Sequence, residues 1–235
     1  MGVLYNSRIV TDGLVLCLDA GDKMSYPGAG TTWYDLSKNS IHATLTNGPT
    51  FNSSDGGSIV FDGTNDYVNI PGNGDVMSNL TVYTVELIIK TSYYGNLVIL
   101  EKGSNAKMSV QPPSAGFGGA NATFYGDRTN FTDSSPIWNG NWLNVTFVQA
   151  STYRKLYLNN ILKDTQSLGN DPANSNDIHL MSRGGSYSQP GNVSILKIYN
   201  RTLTDDEITQ NYKATKGRFG LWYILMENYY NGNII

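Results

Sequence analysis

The stretch that most restricts the fold lies near the C-terminus, at residues 192–219, NVSILKIYNRTLTDDEITQNYKATKGRF. A short apolar strand runs there into one strongly capped helix. Thr204 is placed as the N-cap, and Glu207 three residues later completes a capping box. Leu203 and Ile208 occupy the two positions of a hydrophobic staple. Asp205 and Asp206 put negative charge at the positive end of the helix dipole, and Lys213 and Lys216 lie near its other end. Gly217 is placed for a left-handed cap. Nearly everything before this segment reads as strand and turn. The chain is therefore expected to fold as antiparallel sheets closed by a single helix.

Strand signals recur at short spacing. Leu14 to Leu18, Ser58 to Phe61, Asp66 to Ile70, Asn96 to Leu100, Ile178 to Met181 and Val193 to Tyr199 are apolar runs bounded by turn residues. Tyr83, Val85, Leu87 and Ile89 alternate with Thr84 and Glu86, which predicts a strand with one buried face. Leu143, Val145 and Phe147 alternate in the same way. Leu156 to Leu162 reads as a hairpin, because the central Asn159 and Asn160 tolerate the positive φ of a type I′ turn. No helices alternate with these strands, so the fold class is all-β, an antiparallel β-sandwich of jelly-roll type with one short C-terminal helix. Pro112, Pro113 and the glycines from Gly116 to Gly119 mark a loop, since apolar strands resume on both sides.

A chain of 235 residues can bury enough apolar surface to fold without disulfides, and Cys17 is its one cysteine. On its LVLCL strand, Cys17 reads as a small core residue. The net charge of −3 and the lack of a basic cluster argue against a nucleic-acid groove. No run of about 20 apolar residues is present, so membrane insertion is not expected. The opening MGVLYNSRIV lacks the apolar core of a secretory signal, which favours assembly inside a host cytoplasm over secretion.

Several motifs then coincide. GLVLCLDAG opens the domain, TWYDLS precedes NGPTF, and SIVFDGTNDYV follows. WLNVTFV comes shortly before LYLNNIL, and ILKIYNRTLTDDEI closes the series. This order resembles the laminin-G-like, concanavalin A-like lectin jelly rolls over about residues 12–215. The TDGLVLCLDAG opening and NYKATKGRFGL ending are similar to members encoded by tailed phages and marine viruses. The resemblance implies two antiparallel sheets packed face to face, one of them concave. It also implies a first strand near the last, and domains that serve as virion structural or host-contact proteins. On this reading residues 1–11 form an N-terminal extension, 12–218 the jelly roll and 219–235 an apolar tail. Trp33 and Trp142 belong to framework motifs.

Glucanases of this fold carry alternating carboxylates on one strand, and a retaining pair stands about 5–5.5 Å apart. The four glutamates, Glu86, Glu101, Glu207 and Glu227, form no such pattern, so no catalytic residue is assigned and no enzyme is expected. His42 and His179 lie in no nucleophile or metal spacing and read as structural or incidental. Calcium is the candidate ion, since related jelly rolls hold it at the sandwich edge. Asp19, Asp62, Asn65 and Asp66 are the oxygen ligands on offer. An Asx-turn that holds the Asp62 hairpin without an ion is the preferred reading. Tyr93, Tyr94, Tyr125, Trp138 and Tyr187 fall in loops or strand ends, where exposed rings can stack on sugar faces.

The tail carries the apolar run Leu221, Trp222, Tyr223, Ile224, Leu225 and Met226. Such a run fits contact with another protein, either a second copy or another virion component. The sequence therefore points to a non-catalytic virion surface protein: a capsid decoration, head-fibre or tail-associated adhesion subunit with a lectin-like domain for host glycans. The alternative is a carbohydrate-binding module of a bacterial cell-surface protein.

Overall fold

Alternating apolar residues and tight Asn, Asp and Gly turns produce a chain whose described elements before the final helix are strands and one short 3₁₀ turn at Ser54–Gly56. A computed structural model describes residues 8–72, 80–93, 97–102, 105–111, 121–123, 140–167, 177–183 and 187–221. Its strands begin with β1 (Leu14–Asp19), β2 (Thr32–Trp33), β3 (Ala43–Thr46), β4 (Thr50–Asn52), β5 (Ser58–Asp62) and β6 (Tyr67–Ile70). They continue with β7 (Tyr83–Lys90), β8 (Leu97–Lys102), β9 (Asn105–Gln111), β10 (Asn121–Thr123), β11 (Trp142–Gln149) and β12 (Tyr153–Leu158). The last are β13 (Ile161–Ser167), β14 (Ile178–Leu180), β15 (Ser182–Arg183), β16 (Tyr187–Ser188) and β17 (Pro190–Tyr199), followed by helix α1 (Asp205–Thr215).

Two large antiparallel sheets result, beside a small β15–β16 pair. The first runs β13-β12-β11-β7-β17-β5-β4, with β1 also paired to β17. The second runs β10-β9-β8-β14-β6-β3-β2. As expected, the first strand pairs with the last, from Leu14 opposite Tyr199 to Asp19 opposite Ile195. β5 uses the same edge of β17 further along, with Ile59 opposite Val193. Between β1 and β5 the edge is bridged by side chains. Arg218 reaches both carboxylate oxygens of Asp19, at 2.8 and 2.7 Å, and donates to Ser194 Oγ at 2.7 Å.

The main core fills the space between the sheets. Leu16, Leu18, Ile59, Phe61, Leu87, Phe147 and Leu196 from the first sheet meet Trp33, Leu45, Val68, Ile70, Leu100 and Leu180 from the second. The alternation in β7 predicts one buried face, but both are buried: Thr84, Glu86 and Ile88 are as inaccessible as Val85 and Leu87. A third layer causes this. Helix α1 and the segment around Val10 lie on the outer face of the first sheet. There Cys17, Val148, Tyr157 and Tyr199 pack with Leu203, Ile208 and Val10. Burial pushes the Cys17 thiol up to about 12, as befits an inert packing residue.

Thr204 caps α1 and forms the capping box with Glu207, while both staple residues, Leu203 and Ile208, are buried. The other end differs from expectation. The helix passes into a 3₁₀ turn over Lys216–Arg218, and the left-handed residue is Gly220 (φ 64) rather than Gly217. The cause is packing: the tighter turn carries Phe219 and Leu221 back onto Ile88, Trp142, Ile195 and Tyr212. Asn159 and Asn160 adopt the paired positive φ values, 49° and 67°, that the β12–β13 hairpin requires.

Candidate functional site

The second sheet has one face in the core and one turned away from it. Register places Thr44 opposite Asn69, Asn69 opposite His179, and His179 opposite Glu101. Directly paired residues of antiparallel strands share a face. The neighbouring row, Leu45, Val68, Leu180 and Leu100, is core, so the polar row is the outward one. Tyr67, two residues before Asn69, joins this face and sets its ring edge-on to His179, with centroids 5.3 Å apart. Thr44 is exposed; Tyr67, Asn69 and His179 are half-buried; Glu101 is buried.

Asp177, just before β14, orients the middle of the row. It accepts from Asn69 Nδ2 at 2.9 Å and from the Gly72 N–H at 2.8 Å. These bonds, the Gly72 one first, hold its carboxyl below the usual range and keep it charged. Burial pushes the His179 imidazole down against the opposing pull of Asp177, so the ring is neutral at pH 7. A ring face, a carboxamide, a neutral imidazole and a threonine hydroxyl thus stand side by side. Such a set can exchange hydrogen bonds with sugar hydroxyls while the ring covers an apolar sugar face.

The residues singled out from sequence lie elsewhere. Tyr93 and Tyr187 are exposed and fall at one end of the sandwich. Thr91 Oγ1 donates to the Pro190 carbonyl at 2.9 Å and to that extent ties the start of Tyr93's loop to the start of β17, beside Tyr187. Asp62 stands opposite Pro190 at the same end. Tyr94, Tyr125 and Trp138 lie outside the described residues, as do Trp222, Tyr223, Ile224, Leu225 and Met226. Leu221 corrects the interface expectation at its own position. It is buried within this domain, and its carbonyl accepts from Tyr212 Oη at 2.6 Å. The apolar layer therefore extends past the boundary expected at residue 218.

The four oxygen-ligand candidates do not converge. Asp19 is engaged by Arg218, and it stands opposite Ile195 while Asp62 stands further along β17. Asp62 Oδ1 accepts from the Thr64 N–H at 2.7 Å, which makes the Asx-turn. Asp66 Oδ2 accepts from the Asp62 N–H at 3.1 Å, and the Asn65 carbonyl accepts from Asn47. The Thr64 N–H bond holds Asp62 below the usual carboxylate range, whereas burial raises Asp66. Among the described residues no group of three or more His, Cys, Asp or Glu is placed to hold a metal.

Tyr67, Asn69, His179 and Glu101 were missed as a site. The available signal was the YVNI and IHL alternation, which sets each polar residue on the face opposite its aliphatic neighbours. His42, by contrast, is structural: its Nδ1 accepts from the Asp35 N–H at 3.2 Å and its ring meets Tyr34.

Two packed antiparallel sheets, with the first strand beside the last and a C-terminal helix, make a jelly-roll sandwich. The chain belongs to the concanavalin A-like lectin/glucanases superfamily, whose laminin G model matches residues 62–209. Among solved structures it is similar to the receptor-binding domain of botulinum neurotoxin C/D mosaic serotype, at 15% identity and a TM-score of 0.65. That match covers 87% of this chain and 52% of the other. It is also similar to the serotype D ligand-binding domain in complex with N-acetylneuraminic acid, at 15% identity, TM-score 0.64, covering 87% and 51%. A third is a botulinum neurotoxin type C structure whose cell entry depends on interaction with two ganglioside molecules, at 16% identity, TM-score 0.64, covering 91% and 52%. The chain thus spans about half the length of the chains it matches, and likeness at this identity concerns the fold. A sequence comparison with curated proteins finds no match.

Proposed function

We propose that this protein is a non-catalytic virion surface subunit, a capsid decoration, head-fibre or tail-associated adhesion protein, whose lectin-like domain takes host glycans. The observation that carries the glycan part is the outward row of Thr44, Asn69 and His179 with Tyr67 beside it. The glycan and ganglioside ligands of the similar neurotoxin domains support a sugar as the ligand class. The local charge favours a different sugar. Asp177 is anionic and His179 neutral, so uncharged hydroxyls fit this face better than a sialic acid carboxylate.

The layering supports a surface subunit. The described ends of the chain, near Arg8 and Leu221, both pack on the α1 layer: Gln210 donates to the Arg8 carbonyl and Tyr212 to that of Leu221. The polar row lies on the opposite face of the sandwich. A subunit held through its terminal layer, by other virion proteins or a second copy, would present the row outward.

A glycan array probed with the purified protein tests the ligand. Binding to neutral glycans is expected, with a loss of about tenfold or more for Asn69→Ala or Tyr67→Ala, since each removes a direct contact. Binding that both variants leave unchanged would rule out this face. Antibody labelling of intact particles in electron micrographs tests the location, and unlabelled particles would sink the virion assignment.

A further inference from the structure

Beneath helix α1, on the outer face of the first sheet, three polar side chains meet in an apolar layer. Register sets Lys197 of β17 directly opposite Glu86 of β7. Lys197 Nζ lies 2.7 Å from Glu86 Oε2, with the two side chains 3% and 1% exposed. Asn211 of α1, 1% exposed, donates from Nδ2 to the same Oε2 at 2.7 Å. Its Oδ1 accepts from the Val10 N–H at 2.7 Å. The orientation of this amide is unambiguous, because a carboxylate can only accept and a backbone N–H can only donate. Tyr199 Oη accepts a further bond from Nδ2 at 3.0 Å, and Thr146 Oγ1 donates to Glu86 Oε1 at 3.4 Å. Apolar side chains flank the group on both sides: Leu14, Tyr157, Leu203 and Ile208 in one cluster, Ile88 and Ile195 in the other.

The ion pair is a poor device for stability alone. Taking two charges out of water costs about as much as their attraction returns, and apolar residues would pack there as well. The arrangement is, however, complete for acyl transfer. An amine nucleophile and a carboxamide share one carboxylate oxygen, and the carboxamide oxygen already holds a backbone donor.

We propose that Lys197 and Asn211 become joined by an intramolecular isopeptide bond, with Glu86 as the proton carrier. Glu86 takes a proton from the Lys197 ammonium, a transfer that replaces two buried charges with two neutral groups. The free amine attacks Asn211 Cγ, and the Val10 N–H stabilises the negative charge that develops on Oδ1. The attacking nitrogen gives up a second proton as the C–Nδ2 bond breaks. Nδ2 leaves as ammonia, protonated through Glu86, which ends as the carboxylate. One amide is lost, one is formed, ammonium is released, and no oxidant is needed. Both reacting side chains are held 2.7 Å from one buried carboxylate oxygen, which keeps nucleophile and amide together. The product would weld β17 to α1, and with it the layer on which both described chain ends pack. This inference stands apart from the glycan reading and survives its failure.

Intact-mass spectrometry of the full chain tests it. The mass is expected about 17 Da, one ammonia, below that of the sequence. Cyclisation at an asparagine elsewhere gives the same loss, so a tryptic digest decides. A linked Lys197 resists cleavage, and the digest should yield residues 184–201 joined to 202–213 as one branched species. Glu86→Gln keeps the shape but removes the proton carrier, and should release residues 202–213 as an unbranched peptide. Lys197→Met, which removes the nucleophile and keeps an apolar stem, should do the same and covers the case where Glu86→Gln folds poorly. Unlinked peptides from the wild-type chain, cleaved after Lys197 as fully as from Glu86→Gln, would overturn the proposal.

Discussion

At the scale of single residues, Glu207 does several things at once. Its Oε2 accepts from the Thr204 N–H at 2.9 Å to complete the capping box. Its two oxygens also receive Arg201 Nη1 and Nη2 at 2.9 and 2.6 Å, the paired geometry that suits a guanidinium and a carboxylate. The Arg201 bonds, ahead of the cap, hold its pKa at about 2 against an ordinary 4.5. A carboxyl whose folded pKa is depressed stabilises the fold above its unfolded pKa and loses that contribution as pH falls. Stability is therefore expected to decline between pH 4.5 and about 2 as this group takes up its proton. Urea unfolding at a series of pH values should show that acid limb, and Glu207→Gln should flatten it. Because the pair is partly exposed, added salt should shrink the effect.

At the scale of elements, the junction of β1 and β5 on the edge of β17 sets a demand that no strand pattern announces. Ala20 donates to the Ser194 carbonyl at 2.8 Å, and Gly21 and Gly57 then pass so closely that neither has room for a Cβ. A methyl on Gly21 would overlap the Gly56 carbonyl and the Arg218 guanidinium. Overpacking of this kind costs about 1–3 kcal/mol, and more where the obstacle is backbone. Gly21→Ala is expected to lower the midpoint of denaturant unfolding by a corresponding amount. A variant that unfolds like wild type would mean the two strands do not abut there.

At the scale of the molecule, the sandwich has three layers with opposed duties: the outward sheet face carries the polar row, and the helix layer receives the chain ends. Phe219 and Leu221 complete the apolar cluster under that layer, so the domain runs through Leu221. A chain ended after residue 221 is expected to keep its melting temperature, whereas one ended at 218 should lose Phe219 and Leu221 and melt earlier. Our assignment of residues 222–226 to a partner contact predicts that the chain ended at 221 sediments as a monomer and fails to join particles. Normal assembly of that chain would refute the contact.

Local chemistry was sufficient for much of this. The capping box at Thr204 and Glu207, the staple at Leu203 and Ile208, the Asn159–Asn160 turn and the Asx-turn at Asp62 each involve groups a few residues apart. Their backbone conformations and hydrogen bonds are set by those neighbours. Strand alternation likewise placed the inward residues of β7 and β11. What alternation could not supply was the partner of each face. β7 reads as a strand open on one side, yet α1 covers Glu86 and Ile88, because the helix folds back from a point more than a hundred residues later in the chain. The polar row is the same case. Tyr67 and Asn69 share a face by their spacing alone, but only the pairing of β6 with β14, and of β14 with β8, sets His179 and Glu101 beside them. Local periods decide which way a side chain points; the register between distant strands and the fold-back of the helix decide what it meets.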